Sequence, residues 1–242
     1  IPLMVSAYQK GIRDYDVEKA YEAMKHNQTE PGKPHPCGGH VGNQQLASYK
    51  ELGYVPVEEG PVSNTMEYAY DDWCVAQMAR ALDKEEDYRE FIKRAGYYKN
   101  VFDPDVKYVR QKHKDGNWVE DFDPFSLSGF VEGNSWQYTY FVPHDVQGLV
   151  DLIDRREFND RLNEGFERAS QGNFMAMCGR GRGVNHGNQP NMQAAWLFNY
   201  SGKPWLTQKW SRRIMEQYYK ATPYDGWLGD EDQGQMGAWF VM

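Results

Sequence analysis

The sequence predicts an all-α protein built from antiparallel helix pairs. Three observations carry this reading. Apolar residues recur at helical spacing in most segments, capping side chains stand ahead of several of them, and only one stretch alternates like a β-hairpin. "DVEKAYEAMKH" opens on Asp16 as a cap and places Val17, Ala20, Tyr21 and Met24 on one face. "SNTMEYAYDDWCVAQMARAL" pairs Asn64 with Glu67 in a capping-box pattern and predicts a helix to about Leu82. "EDYREFIKRAGYYKNVF" aligns Tyr88, Phe91, Ile92 and Ala95. Asp145 caps "VQGLVDLID", and a helix over roughly 157–168 follows. "NMQAAWLFNY" stops at Ser201-Gly202, and Pro204 sits in the first turn of "KPWLTQKWSRRIMEQYY", where its missing N–H costs least.

The exception is "DVKYVRQKHKDGNWVEDF", which alternates around Asp115-Gly116 and predicts a small hairpin near 106–122. Residues 30–62 and "CGRGRGVNHGNQP" at 178–190 read as long loops. The sum is about eight helices. Functional-looking residues concentrate in loops between helix pairs, an arrangement that suits an α/α toroid.

Composition narrows the function. Of 242 residues, 40% are apolar and 15% aromatic, including eight Trp and seventeen Tyr. So many rings favour a carbohydrate or another flat ligand. A formal charge of −8 offers no basic field for phosphates, which argues against nucleic acid. No apolar run approaches the roughly 20 residues that span a bilayer, and no segment has a signal-peptide pattern. Cys37, Cys74 and Cys178 form neither a CxxC pair nor a disulfide framework. The chain opens on Ile1 and stops inside the apolar run "GAWFVM", and so reads as a piece of a longer protein.

Two stretches carry candidate chemistry. "EGNSWQYTYFVPHDVQG", residues 132–148, sets Glu132 ahead of Gly133, Asn134 and the rings of Trp136, Tyr138, Tyr140 and Phe141. Alone it reads as a turn followed by core aromatics. Beside a second acid it reads as sugar chemistry, because pyranose C–H faces stack on rings while hydroxyls need polar partners. The second stretch, "GDEDQGQMGAW", has Asp230, Glu231 and Asp232 ahead of a helix, where acids also complement the dipole. It is no EF-hand, since Gly234 falls at the fifth loop position and no closing Glu follows. "RGRGVNHGNQP" lacks the Gly-Lys-Ser/Thr of a phosphate loop. No zinc spacing and no GxSxG elbow is present. What remains is two carboxylate clusters about a hundred residues apart, the working parts of most glycosidases.

Taken in order, "SNTMEYAYDDW", "EGNSWQYTYFVPHDVQGL", "GNQPNMQAAWLFNYSGKPWLTQ" and "GDEDQGQMGAWF" resemble glycoside hydrolase family 92, the calcium-dependent, inverting exo-α-mannosidases. "YVPVEEG" just upstream fits as well. The resemblance implies that residues 1–242 are part of a single helical catalytic domain of the (α/α)6-barrel type. That domain is incomplete here, lacking both the rest of the barrel and a preceding β-sandwich. It implies Glu132 as general acid, and Asp230 and Asp232 as the pair that handles the attacking water, with Asp232 the base. Gly133, Trp136, Asn185 and His186 would contact substrate, and Asn188, Gln189 and Asp232 would help hold Ca2+. The implied partner is an α-mannoside or mannose-containing glycan, as in N-glycan degradation. The implied place is secreted, periplasmic or on the surface of a bacterium. Members specific for α-1,2 linkages carry His-Glu just before this motif, where this chain has Asn185-His186. The α-1,2 specificity is therefore not assigned, and α-1,2, α-1,3, α-1,4, α-1,6 and other mannosides stay open. The rival reading is a non-catalytic mannose-binding remnant of the same fold.

Overall fold

The computed structural model describes residues 1–174, 181–229, 232 and 234–242. It divides into two compact units, Ile1–Phe102 with Arg110–Glu120, and Asp103–Val109 with Asp121–Met242. Among the described residues the secondary structure is eleven α-helices, short 3-10 turns and four two-residue strands. The all-α reading stands, with more helices than the sequence pattern announced.

The first unit holds α1 (Pro2–Gln9), α2 (Val17–Thr29), β1 (Lys33–Pro34), β2 (His40–Val41), α3 (Leu46–Leu52), α4 (Ser63–Ala81) and α5 (Glu85–Arg94). The carboxylate of Asp16 accepts from the Lys19 N–H at 3.0 Å, so the expected cap of α2 is made. Tyr21 and Met24 of α2 pack with Val5 and Tyr8 of α1, Cys74, Val75 and Met78 of α4 and Phe91 of α5 in one apolar cluster. A second cluster joins Leu46, Tyr49, Val55 and Tyr68. β1 and β2 pair antiparallel, Lys33 opposite Val41.

The Asn64 capping box is not made. Helix α4 begins two residues earlier, with Val62 as its cap, behind the turn started by Pro61, whose carbonyl accepts from the Asn64 N–H at 3.1 Å. The Asn64 side chain instead donates to Gln45 Oε1 at 2.9 Å. Helix α3 lies within the predicted 30–62 loop. It ends on Gly53 at φ 77°, where a Cβ would stand 2.5 Å from the Asn100 side-chain nitrogen. Only glycine closes that turn. The small hairpin at Asp115-Gly116 is made, through the antiparallel bridge of Lys112 to Trp118. The His113 N–H donates to the Asn117 carbonyl at 2.8 Å and the Val119 N–H to the Gln111 carbonyl at 3.0 Å, and the ladder stops where the Arg110 guanidinium donates to the Val119 carbonyl at 2.6 Å.

Strand β3 (Phe102–Asp103) falls at the boundary, and the second unit holds β4 (Tyr108–Val109), α6 (Ser135–Thr139), α7 (Val146–Ile153), α8 (Arg155–Ser170), α9 (Gln189–Met192), α10 (Pro204–Gln217) and α11 (Gln235–Val241). Asp145 caps α7 through the Gly148 N–H at 3.0 Å, as expected. Asp154, at φ 85°, caps α8 through Arg156 and Glu157. Its carboxylate satisfies two of the four donors a helix start leaves open. The core runs through Tyr140, Phe158, Phe166, Phe174, Phe198 and Trp210, with Phe166 and Trp210 stacked at 5.2 Å between centroids. Among the described residues no helix is long and apolar enough to cross a membrane.

Candidate active site

The site is assembled within the second unit from two junctions. At the first, the segment bearing Glu132 is stitched to the segment bearing Gln189. Asn134 accepts from the Gln137 N–H at 3.0 Å, capping α6, and its Nδ2 donates to the Gly181 carbonyl at 3.2 Å. Gln137 Nε2 reaches the Gly183 carbonyl at 3.3 Å, and Asn191 Nδ2 reaches the Gln137 carbonyl at 3.0 Å. Asn188 Nδ2 donates to the Glu132 carbonyl at 2.7 Å. Each bond joins an amide side chain to a backbone group, so the two loops are tied by one set of polar contacts. Glu132 itself sits at φ 57° with an exposed side chain. Gly133 beside it is buried, and a Cβ there would stand 2.9 Å from the Tyr138 ring.

The second junction brings in Asp232. Gln189 Nε2 donates to Asp232 Oδ2. Asn188 accepts the Gln189 N–H on its own Oδ1 at 3.1 Å, so it is at once the cap of α9 and the tie to Glu132. Glu132, Asn188, Gln189 and Asp232 thus form a continuous path across three loops. The path ends on the backbone carbonyl of Glu132 and on the carboxylate of Asp232, so it ties two loops that each carry an exposed acid, which has the chemistry to flank a polar substrate.

The four residues assigned to substrate contact occupy other roles. Trp136 is 2% exposed and lies against Gly165, where a Cβ would meet its ring at 2.2 Å. It packs on Tyr140 at 5.0 Å and is a core residue, with no face free for a sugar. Tyr138, Tyr140 and Phe141 are buried with it. Gly133 lies beneath Tyr138, and Asn185 is buried with its N–H given to Asn191 Oδ1 at 3.1 Å. His186 is fully buried among Tyr218, Tyr219 and Trp239. Burial pulls its imidazole down to about 3, so the ring is neutral. Asp230 lies outside the described residues, as does Cys178, while Cys37 and Cys74 are free thiols.

Asn134, Gln137 and Asn191 were not read from the sequence as site residues, although they hold the junction. Asn134 carried a signal, an Asn directly before a short helix. Asn191 carried none, because its partners lie far along the chain.

For a hard cation the donor set fits in kind. Asn188, Gln189 and Asp232 offer amide and carboxylate oxygens, the ligands calcium prefers. Among the described residues no three His, Cys, Asp or Glu side chains gather to hold a metal, so such an ion would lean on amide oxygen.

The family description "Glycosyl hydrolase family 92 catalytic domain" matches residues 1–242. Among solved structures, a family GH92 α-mannosidase from Bacteroides thetaiotaomicron matches with a TM-score of 0.83 and 37% identity, covering 99% of this chain and 30% of that one. A family GH92 inverting mannosidase from Bacteroides thetaiotaomicron VPI-5482 matches with a TM-score of 0.84 and 36% identity, covering 99% of this chain and 34% of that one. Among curated proteins, an uncharacterized secreted glycosidase of Arthroderma benhamiae is 27% identical over 99% of this chain and 33% of its own length. The chain spans about a third of these relatives. The likeness in fold places it in the α/α-toroid class that its helix pattern predicted.

Proposed function

The chain belongs to glycosyl hydrolase family 92, and from that premise we propose that it carries the reacting groups of an inverting, exo-acting α-mannosidase. One observation carries the reading: a hydrogen-bonded path through Asn188 and Gln189 ties the backbone of Glu132 to the carboxylate of Asp232, the two acids with assigned roles. Support for mannose comes from the relatives, one named an α-mannosidase and solved with mannoimidazole at 35% identity to this chain. Support for inversion comes from the relative named an inverting mannosidase.

In this reading a terminal α-mannoside of a glycan, N-glycans included, enters between the loops. Glu132 donates a proton to the departing glycosidic oxygen. Asp232, assisted by Asp230, takes the proton of a water that attacks the anomeric carbon from the opposite face. The product leaves as β-mannose. Asn188 orients the Glu132 backbone, and Gln189 orients the Asp232 carboxylate. Asn188, Gln189 and Asp232 would hold Ca2+, which supplies Lewis-acid polarisation of the sugar oxygens when bound. The parent chain adds a β-sandwich and the rest of the barrel. It acts outside the cytoplasm, in keeping with the relative named as secreted.

The test uses the full-length parent with p-nitrophenyl α-mannoside and an unactivated mannobiose, with calcium and after EDTA. Turnover that is lost on chelation and restored by calcium is expected, with β-mannose seen first by proton NMR. Binding of mannoside without any turnover would leave the non-catalytic reading. Full activity after chelation would remove calcium from the mechanism.

A further inference from the structure

We propose that His186 and the paired glycines Gly187 and Gly229 form a positioning clamp that sets the spacing between the Asn188-Gln189 loop and the Asp232 loop. Its catalytic consequence rests on the α-mannosidase reading; its structural basis does not. The His186 ring is fully buried and makes edge contacts with Tyr218 at 4.9 Å, Tyr219 at 5.7 Å and Trp239 at 4.4 Å. Its Nε2 lies 3.0 Å from Tyr219 Oη. Tyr219 in turn donates to the Met236 carbonyl of α11 at 3.2 Å, and Trp239 donates to the Met192 carbonyl of α9 at 3.1 Å. One imidazole therefore docks the 183–190 segment against α11, the helix that follows Asp232.

The adjacent glycines fix how close the two backbones come. A Cβ on Gly187 would lie 2.6 Å from Tyr218 Oη and 3.3 Å from Gly229 Cα. A Cβ on Gly229, which holds φ 95°, would lie 2.8 Å from both Gly187 Cα and Gly187 O. Real Cβ contacts essentially never fall below 3.0 Å, and at Gly229 the obstacle includes backbone, which cannot swing aside as a side chain would. A methyl group at Gly229 must part the loops, while one at Gly187 presses first on the Tyr218 hydroxyl and more lightly on the Gly229 backbone. Gln189 is two residues beyond Gly187 and Asp232 three beyond Gly229, so parting the loops strains the bond from Gln189 Nε2 to Asp232 Oδ2. His186 thus acts on the site through Tyr219 and α11; it touches no reacting atom.

The experiment uses the full-length parent and four variants. Gly229→Ala and His186→Phe break the clamp from opposite sides. His186→Gln returns a hydrogen-bonding head to Tyr219. Gly11→Ala is the control: it carries the same kind of φ, 88°, with nothing within 4 Å of the added Cβ. Hydrogen exchange is read in peptides covering 184–192 and 234–241, and kcat and KM are read on p-nitrophenyl α-mannoside. Gly229→Ala and His186→Phe should both raise exchange in both peptides. They should lower kcat by about tenfold to a hundredfold, the scale of a misplaced catalytic group, with KM within about twofold. His186→Gln should recover part of each effect, and Gly11→Ala should show none. Faster exchange confined to one peptide would overturn the clamp. So would a lower kcat in His186→Phe that His186→Gln does not recover in any part. If the unaltered parent turns over no mannoside, the function reading fails and the exchange data still decide the clamp.

Discussion

Asn188 donates from Nδ2 to the Glu132 carbonyl oxygen at 2.7 Å while its Oδ1 accepts the Gln189 N–H at 3.1 Å. One amide side chain thus orients the backbone of the proposed acid and starts the short helix α9. Asn188→Asp keeps the acceptor and loses the donor. Asn188→Ala loses both, and cap removal alone costs about 0.5–2 kcal/mol. In the full-length parent Asn188→Asp is expected to keep the melting temperature near that of the parent and still lower kcat, whereas Asn188→Ala lowers both. Thermal melts beside steady-state kinetics separate the two. Equal kinetics for Asn188→Asp and the parent would mean that the tie to Glu132 does nothing for activity.

Among the described residues the most buried ion pair lies in the first unit. Arg94 Nη2 meets Asp72 Oδ1 and Arg94 Nε meets Oδ2, at 2.9 and 3.0 Å. Tyr49 Oη donates to the same carboxylate at 2.8 Å, and a second Arg94 bond runs to the Gln28 carbonyl at 2.7 Å. Arg94 therefore joins α5, α4 and α2 by polar contacts inside an apolar cluster. Removing one partner strands the other charge, at a cost of about 3–5 kcal/mol. Arg94→Met should lower stability by that order in a denaturant titration. Asp72→Asn with Arg94→Met should recover much of it, because no bare charge is left. A single variant as stable as the parent would contradict the burial assigned to this pair.

What was legible in the sequence was local. The caps by Asp16 and Asp145 and the helix start at Pro204 need only neighbouring residues, and all three occur as read. Helix α3 was missed because its reason to fold is tertiary: Leu46 and Tyr49 bury against Val55 and Tyr68 within a Gly- and Pro-rich context. Trp136 was misread for the same reason. Whether a ring faces a sugar or a core depends on what packs on it, and Gly165 of α8 does so here. Residues Glu132, Asn188, Gln189 and Asp232 could be listed from motifs. Their meeting depends on Asn134, Gln137 and Asn191, whose bonds to distant carbonyls leave no mark in a single sequence.

A pH dependence of stability follows from Glu157. The Lys107 ammonium at 2.5 Å, with Arg161 on the other oxygen, holds its carboxyl below the usual glutamate range. Because the folded-state value is the lower one, the unfolded chain takes up the proton first as pH falls. The stabilisation is therefore complete above the ordinary glutamate range and is lost as pH drops through the depressed value. The Glu157 side chain is 39% exposed, so after solvent screening the effect is about 1 kcal/mol at most. Melts of Glu157→Gln against the parent should show a gap at neutral pH that closes in acid. A gap that widens in acid would reverse the assigned sign.

The roles of Glu132 and Asp232 separate by leaving group. Glu132→Gln keeps size and hydrogen bonding yet removes the proton that an alkoxide leaving group needs. A p-nitrophenolate leaves without that help. Glu132→Gln in the full-length parent should therefore slow an unactivated mannobiose far more than the aryl mannoside, on the scale of about 10²–10⁴ for a lost general acid. Water activation is needed whatever departs, so Asp232→Asn should slow both substrates alike. For single displacement a water must fit between base and anomeric carbon, which requires the two carboxyl groups to stand about 6.5–9.5 Å apart in the closed complex, against about 5–5.5 Å for a retaining enzyme. Azide supplies a further discriminator. If Asp232 is the base on the water side, azide should rescue Asp232→Asn as a nucleophile that needs no deprotonation, giving the β-mannosyl azide. An α-mannosyl azide from that variant, or equal slowing of both substrates by Glu132→Gln, would assign these carboxylates the wrong roles.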